Sequence, residues 1–333
     1  MESVNQNNSI VSLKETAKEW AKKVNIDSVA KLNDMIGKGK SLELILVCEA
    51  MQQNALYEIA RKIVKDNKRI ILIAGPSSAG KTTFSHRLSI QLRAMGKVPH
   101  TIAADNYFVN REENPKDENG NYDFECIGAM ALELLNHDMI NLLEGKQVEL
   151  PEFNFKTGIR EYHGNYLSMG DKDVLIMEGI HSLNPEMTYL LDPNDKFKIY
   201  ISPLNQLYID SDTKVSTIDS RLLRRMVRDN RTRGNDVNKT LFMWKSVRAG
   251  EEKNIFPYES EADAMFNSGL LYEYAAIKQF AMPLLESVSE NGEYKEDIIR
   301  LKNFVGMFSD IDIQYIPLNS ILREFIGGGC FKI

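Results

Sequence analysis

Residues 70–84 read IILIAGPSSAGKTTF: an apolar run of strand character, then Gly75-Pro76-Ser77-Ser78-Ala79-Gly80-Lys81-Thr82, which satisfies the G-x-x-x-x-G-K-[ST] phosphate-loop pattern. In such a loop the backbone N–H groups turn inward around an anion. The lysine reaches the terminal phosphates and the Thr hydroxyl is offered to Mg²⁺. A glycine-rich turn with no ligand would leave Lys81 and Thr82 unexplained. The pattern therefore predicts Gly75, Ser77, Ser78, Ala79, Gly80, Lys81, Thr82 and Thr83 as contacts to a nucleotide polyphosphate.

Working outward, the flanking sequence alternates strands and helices. A helix is expected from the loop to about Met95, and VPHTIAADNYF forms a second strand ending near Asp105. DVLIM (173–177) and FKIYI (197–201) are short apolar strands suited to a parallel sheet buried on both faces. A helix is expected from Gly128 to Gly145. VELPEFNF and IREYHGNYLSM make a hairpin turning at Lys156 to Gly158, and a last short strand lies near Asp263 to Phe266. The predicted class is α/β: a phosphate-loop nucleotide-binding fold, doubly wound and mostly parallel, with a small β-hairpin insertion. Helical extensions flank it, and the expected divisions are 1–67, 68–290 and 291–333.

The N-terminal stretches VSLKETAKEWAKKV, SVAKLNDMIGKGK and SLELILVCEAMQQNALYEIARKIVKDN have helical periodicity and no chemical motif. They read as a buttress for the nucleotide domain, with an interaction module as the alternative. The polar stretch NREENPKDENGNYDF, ending at Phe124, is long enough to serve as a substrate lid.

With 333 residues, 43% hydrophobic and 26% charged, core size is not limiting, and no apolar run approaches a membrane span. The start MESVNQNNSI has neither the basic nor the apolar segment of a secretory signal, so a cytoplasmic location is expected. Cys48, Cys126 and Cys330 are odd in number and far apart, which indicates neither a disulfide framework nor a zinc site. A net charge of −6 argues against nucleic acid as a partner while allowing a local basic pocket. The expected partner is a small-molecule substrate; self-association is left open.

That pocket has candidates. Arg221, Arg224, Arg225, Arg228, Arg231 and Arg233 crowd one segment, and Arg221, Arg225 and Arg228 share a helical face suited to clamping an anion. Three acids are expected to converge on the site: Asp105 follows the second strand, Glu125 the long polar loop and Glu178 the third strand. Each has a structural alternative, as a turn cap, a loop charge or a structural acid. Phosphoryl transfer to an alcohol needs a carboxylate to accept the hydroxyl proton, Mg²⁺ at the phosphates and exclusion of water. Asp105, Thr82 with Glu178, and the arginine helix could supply those parts. The guanine-reading Asn-Lys-x-Asp is absent, since Leu241 follows Asn238-Lys239-Thr240, which favours ATP.

The order of motifs resembles the uridine kinase and phosphoribulokinase family of phosphate-loop kinases from about Lys68 to Ser287. The resemblance rests on GPSSAGKTTF, Asp105-Asn106-Tyr107-Phe108, Tyr122-Asp123-Phe124-Glu125, Leu150-Pro151-x-Phe153-Asn154-Phe155, Met177-Glu178-Gly179-Ile180 and RLLRRMVRDNRTRG. It is nearest in pattern to bacterial uridine kinase-like nucleoside kinases. It implies Asp105 as the base toward a nucleoside 5′-hydroxyl, Phe108 beside sugar or base, and Glu125 on the ribose hydroxyls. Phe153 and Phe155 would line the base pocket, and Arg225, Arg228 and Arg233 would be lid arginines. Two positions depart from the pattern: Gly158 stands where a histidine reads the pyrimidine edge, and Asn235 replaces an arginine. The expectation is an ATP- and Mg²⁺-dependent kinase with Asp105, Lys81 and Arg228 catalytic, Thr82 and Glu178 toward the metal, and a nucleoside as acceptor. The alternatives are a kinase for another alcohol, such as a sugar phosphate or pantothenate-like compound, and an ATP-binding regulatory or RNA-linked module without turnover.

Overall fold

The computed structural model describes residues 15–116, 120, 122–204, 207–288 and 292–332. The N-terminal MESVNQNNSI, the first four residues of the first expected helix, and residues 117–119 and 121 of the expected lid lie outside the described residues.

The chain opens with helices over 15–23 (α1), Val29–Gly37 (α2) and Ser41–Lys65 (α3). Ser28 caps α2, its Oγ accepting from the Lys31 amide. Strand β1 (Ile70–Ala74) leads through the phosphate loop into α4 (Lys81–Ala94), followed by β2 (Val98–Ala103). After 3₁₀ turns at Ala104–Tyr107, Arg111–Glu113 and Ile127–Ala129 comes α5 (Leu132–Leu143). The small strands β3 (Val148–Glu149), β4 (Glu152–Asn154), β5 (Ile159–Glu161) and β6 (Tyr166–Leu167) pair antiparallel as β3 with β6 and β4 with β5, giving the expected hairpin. Then follow β7 (Asp173–Glu178), β8 (Lys196–Ser202), α6 (Thr217–Arg233), α7 (Val237–Asn254), β9 (Ala264–Asn267), α8 (Glu273–Glu286), α9 (Lys295–Gly306) and the short α10 (Arg323–Ile326).

Five strands form one parallel sheet in the order β2-β7-β1-β8-β9. Alternate residues of β1 face opposite layers: Ile71 and Ile73 join the core built with α3, α4, α6, α8 and α9, whereas Ile70 and Leu72 join the core built on α5. Val174 and Ile176 of β7 divide from Leu175 and Met177 in the same way. Both faces are covered, which is why these strands read as unbroken apolar runs.

The terminal helices belong to the larger of these cores. Leu44, Ile59 and Ile63 of α3, Leu301 of α9 and Phe325 of α10 are buried in it with Phe84 of α4. The Tyr272 hydroxyl donates to Glu49 of α3 at 2.7 Å, and Arg87 of α4 donates to Gln52 at 3.0 Å. The N-terminal helices thus pack as a buttress. One boundary differs from expectation: α5 begins at Leu132 and not near Gly128. Met130 forms an antiparallel bridge with Phe108, which holds the chain extended just where the periodicity suggested a helix.

Candidate active site

The phosphate loop leaves the central strand. Gly75 runs so close under β8 that a Cβ would collide with the Ile201 carbonyl, and Gly80, at φ +88°, would meet Ile321 Cγ2 at 2.5 Å. These contacts exclude a side chain at either position. Register places the catalytic candidates at one end of the sheet: Glu178, the last residue of β7, pairs level with Ile73 of β1 and Ala103 of β2, and Asp105 lies two residues past β2 in the 3₁₀ turn. This is the carboxyl end of the parallel strands, where open α/β sheets bind ligands.

A cleft of about 870 Å³ opens there. Ser77 through Thr82, Asp105, Glu125, Glu178, Arg225, Arg228 and Arg233 all line it. Lys81 donates to the Gly75 carbonyl at 2.8 Å and to that of Pro76 at 3.4 Å. Burial lowers its pKa, against the pull of Glu178 and Glu324. The Thr82 hydroxyl donates to Glu178 Oε1 at 3.0 Å. Burial raises the pKa of Glu178, and likewise of Asp105, which the Lys81 ammonium pulls the other way. Glu125 is also raised, first by burial and then by Asp123 and Glu251.

A hydroxyl and a carboxylate in contact are hard oxygen donors of the kind Mg²⁺ takes when phosphates complete its shell. Among the described residues no cluster of three or more His, Cys, Asp or Glu could hold a metal by itself. Thr82 and Glu178 fit Mg²⁺ carried in with a polyphosphate.

The arginine helix divides its labour differently from the expected shared face. Arg221 is buried in an ion pair with Glu251 at 2.5 Å, and Arg224 in one with Glu273 at 2.5 Å. Both are structural because burial would not tolerate either charge unpaired. Arg225 and Arg228 face the cleft with Arg233, and all three gather on one fully buried carboxylate, Asp229, at 3.3, 2.7 and 3.6 Å. Arg225 also donates to the Ser77 hydroxyl at 2.7 Å.

Three acids missed at the level of sequence complete this architecture. Asp229 aims the cleft arginines. Glu251 accepts from the Ser77 amide at 2.8 Å while bound to Arg221 and Arg248, tying α7 to the phosphate loop. Glu324 accepts from the Thr83 amide at 3.0 Å. Thr83 itself is buried and does not line the cleft.

The aromatic candidates sit apart. Phe108, Phe153 and Phe155 wall a second cavity of about 270 Å³ with Phe124, Arg111 and Asn114. Their rings form an edge-to-face chain, Phe108 to Phe153 at 5.6 Å and Phe153 to Phe155 at 5.2 Å. The two spaces are joined through sequence neighbours: Asp105 lines one and Phe108 the other, as do Glu125 and Phe124.

Residues 70–271 match the model of the phosphoribulokinase / uridine kinase family. The chain belongs to this family. Among its relatives, a uridine kinase of Halobacterium salinarum is 28% identical over 198 residues, spanning 59% of this chain and 79% of that protein. A uridine kinase of Staphylococcus epidermidis is 29% identical over 201 residues, 60% of this chain and 87% of its own. A solved structure from Bacillus stearothermophilus, described as a possible uridine kinase, has a TM-score of 0.38 and 21% identity over 60% of this chain and 89% of that one. Among the described residues no helix is long and apolar enough to cross a membrane.

Proposed function

We propose that this kinase transfers the γ-phosphoryl group of ATP to the 5′-hydroxyl of a nucleoside. The observation that carries the reading is the convergence of Lys81, Thr82, Glu178, Asp105 and three arginines on one cleft beside an aromatic-walled cavity. The loop amides and Lys81 hold the phosphates. Thr82 and Glu178 would hold Mg²⁺, which supplies charge neutralisation at the phosphates when bound. Asp105 accepts the hydroxyl proton as the oxygen attacks the γ-phosphorus and the bond to the ADP oxygen breaks. Arg228 and Arg233 meet the negative charge on the group in flight, and Arg225 and Glu125 hold the acceptor. The sugar would lie by Glu125, with the base among Phe108, Phe153 and Phe155.

Family membership and uridine kinase relatives support the reading. Its test is an acceptor screen: purified protein, ATP and Mg²⁺ with nucleosides, sugar phosphates and pantothenate, following ADP release and the phosphorylated product. Nucleoside 5′-monophosphate is the expected product. Phosphorylation confined to another alcohol, or none with any acceptor, defeats it.

A further inference from the structure

The C-terminal segment folds back on the phosphate-loop helix and encloses a separate polar pocket of about 110 Å³ against α4 and the end of α6. Thr83, Arg231, Arg323, Glu324, Gly327 and Gly328 stand in its wall. Gly327 and Gly328 have φ of +85° and +69°. A Cβ at 327 would stand 3.2–3.4 Å from Cδ, Nε and Cζ of Arg231, and one at 328 would stand 3.2 Å from Nη1 of Arg323. The backbone can lie against both guanidinium groups because it carries no side chain there.

Both arginines are held by carbonyls alone. Arg231 donates to Glu324 at 2.9 Å and Phe325 at 3.2 Å, and Arg323 donates to Ile316 at 2.7 Å, Ile313 at 2.9 Å and Gly327 at 3.4 Å. Every other arginine of α6 is paired with a carboxylate. Among the described residues Arg231 and Arg323 form no ion pair, and the buried Nε of Arg323 has no partner. Glu324 is the one acid among the described residues of the wall, and its carboxylate is engaged by the Thr83 amide. Two cations against one acid leave the pocket with an excess of positive charge.

Thr83 supplies a second, independent sign of a ligand. The residue is 1% exposed and its hydroxyl has no hydrogen-bond partner among the described residues. It has not taken the carbonyl one turn back in α4, the usual recourse of a helical threonine. Hydroxyls buried this far are normally bonded. Here the orphan belongs to the wall of a pocket that also holds two uncompensated guanidinium groups.

We propose that this pocket is an anion site, distinct from the phosphate loop, which takes one phosphate group on Arg231, Arg323 and the Thr83 hydroxyl. Its volume is well below the ~300 Å³ at which sites for drug-sized ligands begin, so the occupant is a single tetrahedral anion, free or carried as a monoester. Guanidinium donors match phosphate oxygens in geometry and charge. Glu324 borders both this pocket and the catalytic cleft, whereas Thr83 borders only the pocket, so the Glu324 carboxylate marks the boundary between the two.

The test is calorimetric titration with inorganic phosphate at constant ionic strength. The wild type should bind two phosphates, one at the loop and one in the pocket, and Lys81→Ala should keep the pocket phosphate. Thr83→Val or Arg231→Gln, each added to Lys81→Ala, should weaken that remaining site by ~10-fold or more, since each removes a hydrogen bond to a charged group. Thr83→Val alone should melt no lower than wild type in phosphate-free buffer, because it replaces an unpaired buried hydroxyl with a methyl group of the same shape. Lost binding is then not lost fold. Uridine 5′-monophosphate on Lys81→Ala separates the sources: tighter binding than phosphate assigns a monoester, and weaker binding assigns the free anion. A single wild-type phosphate that Lys81→Ala abolishes overturns the proposal, as does undiminished affinity when Thr83→Val is added. A lower melting temperature for Thr83→Val overturns it too, since the protein itself would then be satisfying the hydroxyl.

Discussion

The carboxylate of Glu324 accepts a hydrogen bond from the backbone amide of Thr83, 3.0 Å away and across 241 residues of sequence. Thr83 lies in the first turn of α4, where amides have no partner within the helix. Arg231 fixes the acid from behind by donating to the carbonyls of Glu324 at 2.9 Å and Phe325 at 3.2 Å. The C-terminal segment, beyond the family-matched residues 70–271, thus caps the phosphate-loop helix. Glu324→Ala should lower the unfolding free energy by about 1–3 kcal/mol, since it strands a buried donor. Glu324→Gln retains an acceptor oxygen and should lose less. Urea unfolding followed by circular dichroism distinguishes the two; equal stability in all three proteins would mean the cap contributes nothing.

Asp105→Asn should lower kcat by ~10²-fold or more while the KM for ATP holds, because the amide cannot take the acceptor's proton. The pH profile is the sharper check. Burial raises the Asp105 pKa above the ordinary aspartate value, with Lys81 opposing. A base works deprotonated, so wild-type kcat/KM should fall as pH drops through that raised pKa, and the Asn variant should lack this limb. Near-normal turnover in Asp105→Asn would remove the assignment.

Gly250 sits inside α7, where alanine would ordinarily add about 1 kcal/mol of helix stability. Here a Cβ would collide with the Glu125 carboxylate. That carboxylate ends a flexible side chain in a partly open cleft, so it will swing aside and the fold will survive. Gly250→Ala should therefore be at least as stable as wild type and show a several-fold higher KM for the acceptor with little change for ATP. A rise in both KM values, or in neither, would show that Glu125 does not hold the acceptor.

What the sequence revealed and what it concealed follow from whether the relevant partners are local. The phosphate loop declares itself in eight consecutive residues, and β1 and β7 are legible because both faces of each strand are buried. The arginine helix was only half legible. Helical periodicity groups Arg221 with Arg225 and Arg228, but Glu251 draws Arg221 away from the cleft. Asp229 lies four residues from both Arg225 and Arg233, so spacing alone could have nominated it as their anchor. Nothing local marks Glu251 or Glu324, whose partners in the phosphate loop are more than 170 residues away in sequence. Arg111 read as one charge in a polar loop until the hairpin folded over it.

His181, three residues past β7, is 2% exposed, and among the described residues neither ring nitrogen has a hydrogen-bond partner. Burial pushes its pKa down from 6.5 to about 4, against smaller opposing effects from the backbone at Glu125 and the Asp123 carboxylate. Between those values the unfolded chain binds a proton that the folded protein refuses, so stability must rise with pH across the window. The contribution is complete above about pH 6.5 and is lost as pH falls toward 4, a swing of up to ~3 kcal/mol. Other carboxyl groups titrate in the same range, so the comparison is the difference in unfolding free energy between wild type and His181→Leu, measured at pH 7, 6, 5 and 4. That difference should move steadily in favour of the leucine variant as pH falls. If it stays constant, the imidazole titrates in the folded protein as it does in water, and its burial exacts no penalty on the charged form.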